Sequence, residues 1–186
     1  MSEESISFIS LWDYNMPFYK FGDILFLEKI PKEDWIEFIG RKFSETGKDI
    51  SEELCGMIAD HRMKNHPYYT QQLSQQVWFR TETTVSAEVV DEAFSDMIGQ
   101  LSLLFANIID TLTPRQINFL LAVADGITNF SSKEVLMKYQ LGTSANIKNL
   151  KKATTEKDLI DILPGNRIEL QDPVFEYWLK HIYRTR

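Results

Sequence analysis

The sequence predicts a mainly α fold in two parts, a four-helix bundle followed by a helix-turn-helix domain that carries a β-hairpin wing. Three observations carry this prediction. Apolar residues recur at helical spacing over most of residues 31–110. The chain then restarts at Thr113-Pro114-Arg115-Gln116, a capping box with proline at the first helical position. Near the C-terminus two short strand-like runs flank Pro164-Gly165-Asn166, a sequence suited to a hairpin turn.

Composition sets the frame. The 186 residues suit one or two small domains, and 44% hydrophobic content excludes a mostly disordered chain. Cys55 is alone, so no internal disulfide framework exists and a reducing, cytoplasmic home is expected. No apolar run reaches the length of a membrane span, and the acidic start Met1-Ser-Glu-Glu-Ser does not read as a secretory signal. Charge divides the chain. Residues 1–110 hold 9 Lys+Arg against 19 Asp+Glu, a net of −10, whereas residues 111–186 hold 11 against 8, a net of +3.

The elements follow in order. An irregular aromatic stretch from Trp12 to Phe21 precedes Asp23–Glu28, a short buried strand with no sheet of its own to join. Pro31 opens the first helix, with Glu33 and Asp34 in its first turn and Trp35, Phe38, Ile39 and Phe43 inward. A second helix over 51–62 turns Leu54, Cys55 and Ile58 inward. Asn65-His66-Pro67 breaks the chain and starts a third, with Tyr69, Leu73 and Val77 on one side. The fourth spans 86–110 with a stripe of Val90, Phe94, Met97, Leu101, Leu104, Phe105 and Ile108. Four helices with short links bury one core between them.

After the capping box at Thr113, a helix buries Ile117, Leu120, Leu121 and Ala124 and ends at Gly126. Ser131-Ser132-Lys133-Glu134 reads as a second capping box, before Val135, Leu136 and Tyr139. Leu141-Gly142-Thr143 turns into a third helix with Ile147 and Leu150 inward. Strands over 158–163 and 167–170 form the hairpin, and a last helix from Pro173 buries Phe175, Trp178, Leu179 and Ile182. Helix, helix, turn, helix, hairpin, helix is the layout of a winged helix. The expected division is an N-terminal extended segment and strand over 1–30, a helical domain over 31–112 and a winged-helix domain over 113–186.

Few residues carry chemistry. Thr46-Gly47-Lys48 imitates the end of a phosphate-binding loop, but Asp49 follows the lysine where that loop needs Ser or Thr. Gly47 reads instead as a helix C-cap. His61, His66 and His181 have no helical metal-site spacing, no nucleophile has an activating context, and the carboxylates of 28–60 fit solvated helix faces. No enzyme, metal site or cofactor is expected in this chain taken alone. The third winged-domain helix presents Thr143, Ser144, Asn146, Lys148, Asn149, Lys151 and Lys152. Lysines meet phosphates and asparagines read adenine edges, so Asn146, Lys148, Asn149, Lys151 and Lys152 are DNA-contact candidates.

Pro17-Phe18-Tyr19-Lys20-Phe21-Gly22, the strand, and Ile30-Pro31-Lys32-Glu33-Asp34-Trp35 together resemble the stretch after the ATPase core in archaeal and bacterial AAA+-like ATPases of the STAND group. Asn65-His66-Pro67-Tyr68-Tyr69, with Gln71-Gln72-Leu73 and Trp78, resembles the Gly-x-Pro region of that family's helical lid, with Asn65 in the place of the glycine. Asp172-Pro173-Val174-Phe175 with Trp178-Leu179 resembles its closing segment.

The likeness implies a lid followed by a winged helix, with Pro67 and Tyr68 against the nucleotide base and Gln171-Asp172 where relatives have a nucleotide-sensing His-Asp pair. It also implies a parent ATPase that uses ATP or ADP with Mg²⁺. The Walker A and B motifs are absent from this chain, so the implied partner is an N-terminal P-loop ATPase domain. The expected function is a regulatory module that closes over nucleotide and transmits that state. The rival readings are a DNA-binding module and a protein-interaction domain, the latter with a homo-oligomer among its forms.

Overall fold

The computed structural model describes residues 30–185; the side chains of His61 and Pro164 are outside the description, as are the aromatic stretch and strand expected within 1–29. Helix α1 (Lys32–Ser44) buries Trp35, Ile39 and Phe43. Phe38, expected inward, is 38% exposed and meets Trp35 edge-on, with ring centroids 6.0 Å apart. It lies on the flank of the buried stripe, where no helix among the described residues covers it.

The end of α1 settles the imitation phosphate loop. Gly47 takes φ 74°, and Lys48 N–H returns to the Phe43 carbonyl at 3.0 Å. Lys48 Nζ then donates to the carbonyls of Trp78 (2.6 Å) and Thr81 (2.5 Å) while lying 3.9 Å from the Trp78 ring centroid. The lysine thus satisfies orphan carbonyls at the end of another helix.

Helix α2 begins as an α-helix at Glu52–Gly56, capped by Ser51, and continues as a π-helix over Met57–Arg62. Cys55 and Ile58 are buried as expected, and Leu54 packs at the edge. Helix α3 (Pro67–Arg80) buries Tyr69, Thr70, Leu73 and Val77. Helix α4 (Ala87–Asp110) starts at Ser86, whose side chain accepts from Val89 N–H. Arg62–Asp91 and Arg80–Asp96 ion pairs tie α2 and α3 to it.

Helix α4 is the shared spine. Its first half places Val90, Ala93, Phe94, Met97 and Ile98 in the bundle core. Its second half places Phe105 in the other core, with centroids 5.2 Å from Phe175 and 5.7 Å from Trp178. Leu104, expected inward, is 53% exposed, beside Leu103 at 74%. Phe105 fills the inward position, and Leu104 stands one residue, about 100°, away from it.

The second unit is a winged helix: α5 (Pro114–Ala124), α6 (Lys133–Lys138), α7 (Ser144–Thr155), β1 (Ile160–Leu163), β2 (Arg167–Leu170) and α8 (Pro173–His181). The Thr113/Gln116 capping box forms reciprocally. The second expected box does not. Ser132, not Ser131, caps α6 by accepting from Val135 N–H, which leaves Glu134 one position short of the reciprocal contact. β1 starts at Ile160 rather than 158, because Asp158 takes φ 53° in the turn out of α7. The antiparallel register pairs Ile160 with Leu170 and Ile162 with Ile168. α5 packs on α7, β2 and α8, and Trp178, fully buried, donates its indole N–H to Ser102 of α4 at 3.0 Å. No helix of the described residues is long and apolar enough to cross a membrane.

Candidate functional site

The start of α3 has unusual backbone. Lys64 and Asn65 both take left-handed conformations, φ 49° and 58°. Asparagine is among the few non-glycine residues that visit this region readily, so Asn65 suits the position. His66 is the N-cap but supplies no side-chain cap, so among the described residues no side chain caps the first-turn N–H groups of α3. Pro67 occupies the first turn, exposed, and Tyr68 is 64% exposed, edge-on to Tyr69 with centroids 5.1 Å apart. Asn65 Oδ1, His66 Nδ1 and Thr70 Oγ1 are buried there without a hydrogen-bond partner.

Asp172 closes the arrangement from the other unit. Its Oδ1 caps α8 by accepting from Val174 N–H (2.8 Å) and Phe175 N–H (2.9 Å). Its Oδ2 accepts from the Tyr69 hydroxyl at 2.6 Å, across 103 residues of sequence. Burial, then this hydrogen bond to the carboxylate, pushes the Tyr69 hydroxyl well above the ordinary tyrosine range.

A second link runs parallel. Glu176, one turn further along α8, accepts from Lys64 at 2.5 Å and Lys180 at 2.7 Å. Burial pushes the Glu176 carboxyl up, but the hydrogen bonds from Lys180 and Lys64 outweigh it and hold it below the usual range. A cleft of about 450 Å³ opens beside Asp172, lined among others by Leu104, Ile108, Lys157 and Phe175.

The structure therefore gathers Pro67, Tyr68 and Asp172 around one residue the sequence reading had treated as core, Tyr69. The available signal was chemical: a buried tyrosine needs a partner for its hydroxyl, where leucine or phenylalanine does not. Lys64 and Glu176 were also missed, since nothing local links positions 112 residues apart.

The α7 candidates divide. Lys148, Asn149 and Lys152 share one exposed face, and Lys152 lies 3.7 Å from Glu156. Asn146, expected to be exposed, is half-buried: its amide folds back on Gly142, where a Cβ would stand 2.5 Å from Nδ2. Lys151 is half-buried too, with Nζ 5.8 Å from the Phe130 ring centroid. The tight turn at Gly142 draws Asn146 inward, and the face of Phe130 holds the Lys151 stem.

Other titratable groups are built into the scaffold. Burial, with Glu52 nearby, pushes the Cys55 thiol up to about 11, so it is not a ready nucleophile. His181 stacks on Tyr177 at 4.3 Å. Asp125, at the end of α5, accepts from both Arg184 guanidinium nitrogens (3.0 and 2.8 Å) and from the Tyr139 hydroxyl (2.6 Å). Among the described residues, no group of three metal-ligating side chains converges.

Residues 103–181 match the family described as a probable winged helix domain. The match starts within α4 and ends with α8. The fold is similar to that of the Walker-type ATPase PABY2304 of Pyrococcus abyssi, with a TM-score of 0.65 and 18% identity over 93% of this chain. The likeness spans 49%, about half, of that longer chain. No curated protein matches. Residues 103–181 thus form a winged-helix domain, within a chain whose fold is shared with about half of that longer ATPase.

Proposed function

We propose that this chain is the regulatory part of a P-loop ATPase of the AAA+/STAND type, in which α1–α4 form a lid over nucleotide held by another domain and the winged helix passes the nucleotide state to a partner. The observation that carries the reading is the Tyr69–Asp172 hydrogen bond. It joins the residue after Tyr68, on the open end of α3, to the N-cap of the last winged-domain helix.

The donor set fits a nucleotide base and little more. Tyr68 offers an exposed aromatic face, and the open α3 N-terminus offers N–H donors and a positive dipole end. Phosphates and Mg²⁺ would fall to the partner domain. A base pressing on Tyr68 changes the ring packing of Tyr69, and through Asp172 it alters how α8 is capped. Closure then depends on contacts that differ between nucleotide states.

Hydrogen exchange on the chain joined to its ATPase domain tests this. ATP should slow exchange at 67–70 and also change it at 172–176. In Tyr69→Phe the first change should persist and the second should vanish. Identical exchange with and without ATP would overturn the reading.

A duplex-DNA reading rests on the outward face of Lys148, Asn149 and Lys152. It predicts binding that weakens steeply with salt, and no mobility shift at low salt on any duplex would remove it.

A further inference from the structure

The wing leaves one strand edge unpaired. Among the described residues the sheet has two strands, β1 and β2. Gln171 N–H donates to the Leu159 carbonyl at 3.3 Å, one position beyond the Ile160–Leu170 pair in the antiparallel register. Hydrogen-bonded pairs alternate along such a ladder, so Arg167 and Glu169 turn their main-chain groups to β1. Ile168 and Leu170 turn theirs the other way, while their side chains are buried in the core. Among the described residues, nothing meets these two N–H and two C=O groups.

The edge lines a cleft of about 490 Å³. Residues 125–128, after α5, form another wall, α8 contributes Glu176 and Lys180, and the bundle contributes Lys64. The lining holds three cations, Lys64, Arg167 and Lys180, against three carboxylates, Asp125, Glu169 and Glu176. Each stands in an ion pair: Lys64 and Lys180 with Glu176, Arg167 with Glu169 at 3.0 Å, and Asp125 with Arg184. A charged occupant therefore finds no spare counter-ion in the lining. What the cleft offers is main-chain donors and acceptors at strand spacing.

We propose that this cleft binds an extended, uncharged segment of a partner protein, which adds to the free edge of β2 as a further strand. Antiparallel addition meets all four groups with two residues of the segment, two positions apart, whereas parallel addition needs a longer run. The shorter run suits the cleft. Because residues 125–128 and α8 flank the edge, a single extended chain enters where the edge of a second folded sheet does not. Main-chain bonds carry the recognition, so it tolerates changes of side chain. This inference does not depend on the nucleotide reading.

The test titrates two end-blocked peptides, Thr-Val-Thr-Val-Thr and Ser-Tyr-Ser-Tyr-Ser, into the isotope-labelled full chain and reads the amides by NMR. Both peptides should shift the signals of Ile168 and Leu170 and slow their hydrogen exchange, with similar affinity. N-methylating every residue of a peptide removes its donors and should weaken binding about tenfold or more. Thr128→Trp, which fills the cleft from an exposed loop position, should weaken it as much, while Met137→Trp on α6 should leave it unchanged. Circular dichroism checks that both variants fold. Unmoved signals at 168 and 170 with either peptide, equal binding of the N-methylated forms, or binding indifferent to Thr128→Trp would overturn the proposal. Shifts at 168 and 170 that grow with protein concentration alone would also overturn it, and would give the edge to a second copy.

Discussion

Among the described residues, two tyrosine–aspartate hydrogen bonds of the same length, 2.6 Å, stand in different settings. Tyr139–Asp125 spans 14 residues, lies within the winged helix, and is completed by both guanidinium nitrogens of Arg184. Tyr69–Asp172 spans 103 residues, joins the two helical units, and balances its carboxylate with the N-terminal amides of α8. In the first, burial raises the Asp125 carboxyl, but Arg184 and Tyr139 hold it below the usual range, and Tyr139 is pushed up to about 12 by burial and by Asp125. The difference lies in what balances each carboxylate. The pair inside one unit is clamped by a cation and ties Arg184 to the end of α5. The pair between units is balanced by helix N–H groups alone, and under the proposed function it is the contact that a change of nucleotide state would alter.

The strongest way to break the comparison is to remove the wall both units share. Trp178→Ala empties a fully buried site against Phe105 and Phe175 and frees Ser102. It should cost about 3–5 kcal/mol in chemical denaturation. If α4 is a common spine, probes in both units should lose stability together; loss confined to 113–185 would separate them.

Asp172→Ala removes an N-cap and the partner of a buried hydroxyl, and should cost about 2 kcal/mol. Asp172→Asn, which can cap and accept, should recover most of it. Tyr69→Phe should cost about 1 kcal/mol. Tyr139→Phe should cost less, because Asp125 keeps Arg184.

Acid gives a graded comparison. Asp125 and Glu176 both have folded-state values below their ordinary ones, so the unfolded chain binds protons first as pH falls. Their stabilisation is complete above the ordinary carboxylate range, near pH 4, and is lost as pH drops through the lower folded values. Melting temperature should therefore fall below about pH 4.5, and Glu176→Gln should flatten part of that fall. An unaltered slope in that variant would mean that Lys64 and Lys180 contribute nothing through Glu176.

Local signals were legible in the sequence. The Thr113 box, the turn at Gly165 and the stop at Gly126 each depend on neighbours within four residues, and each formed. What stayed hidden needed contacts across the fold. The role of Lys48 depends on a helix end thirty residues away, and the inward turn of Phe105 at the expense of Leu104 depends on α8. For the candidate site, Pro67, Tyr68 and Asp172 were named from the sequence by resemblance. Tyr69, which connects them, looked like one more apolar position at helical spacing, and only the packing of α3 against the start of α8 gives its hydroxyl a purpose.

The central claim is that α3 and α8 are energetically coupled through one hydrogen bond. A double-mutant cycle of Tyr69→Phe and Asp172→Ala in the full chain, read by urea unfolding, tests it most directly. The account predicts a coupling energy of about 1 kcal/mol between the two changes. Simple additivity, within about 0.3 kcal/mol, would mean the bond seen between the units carries no weight.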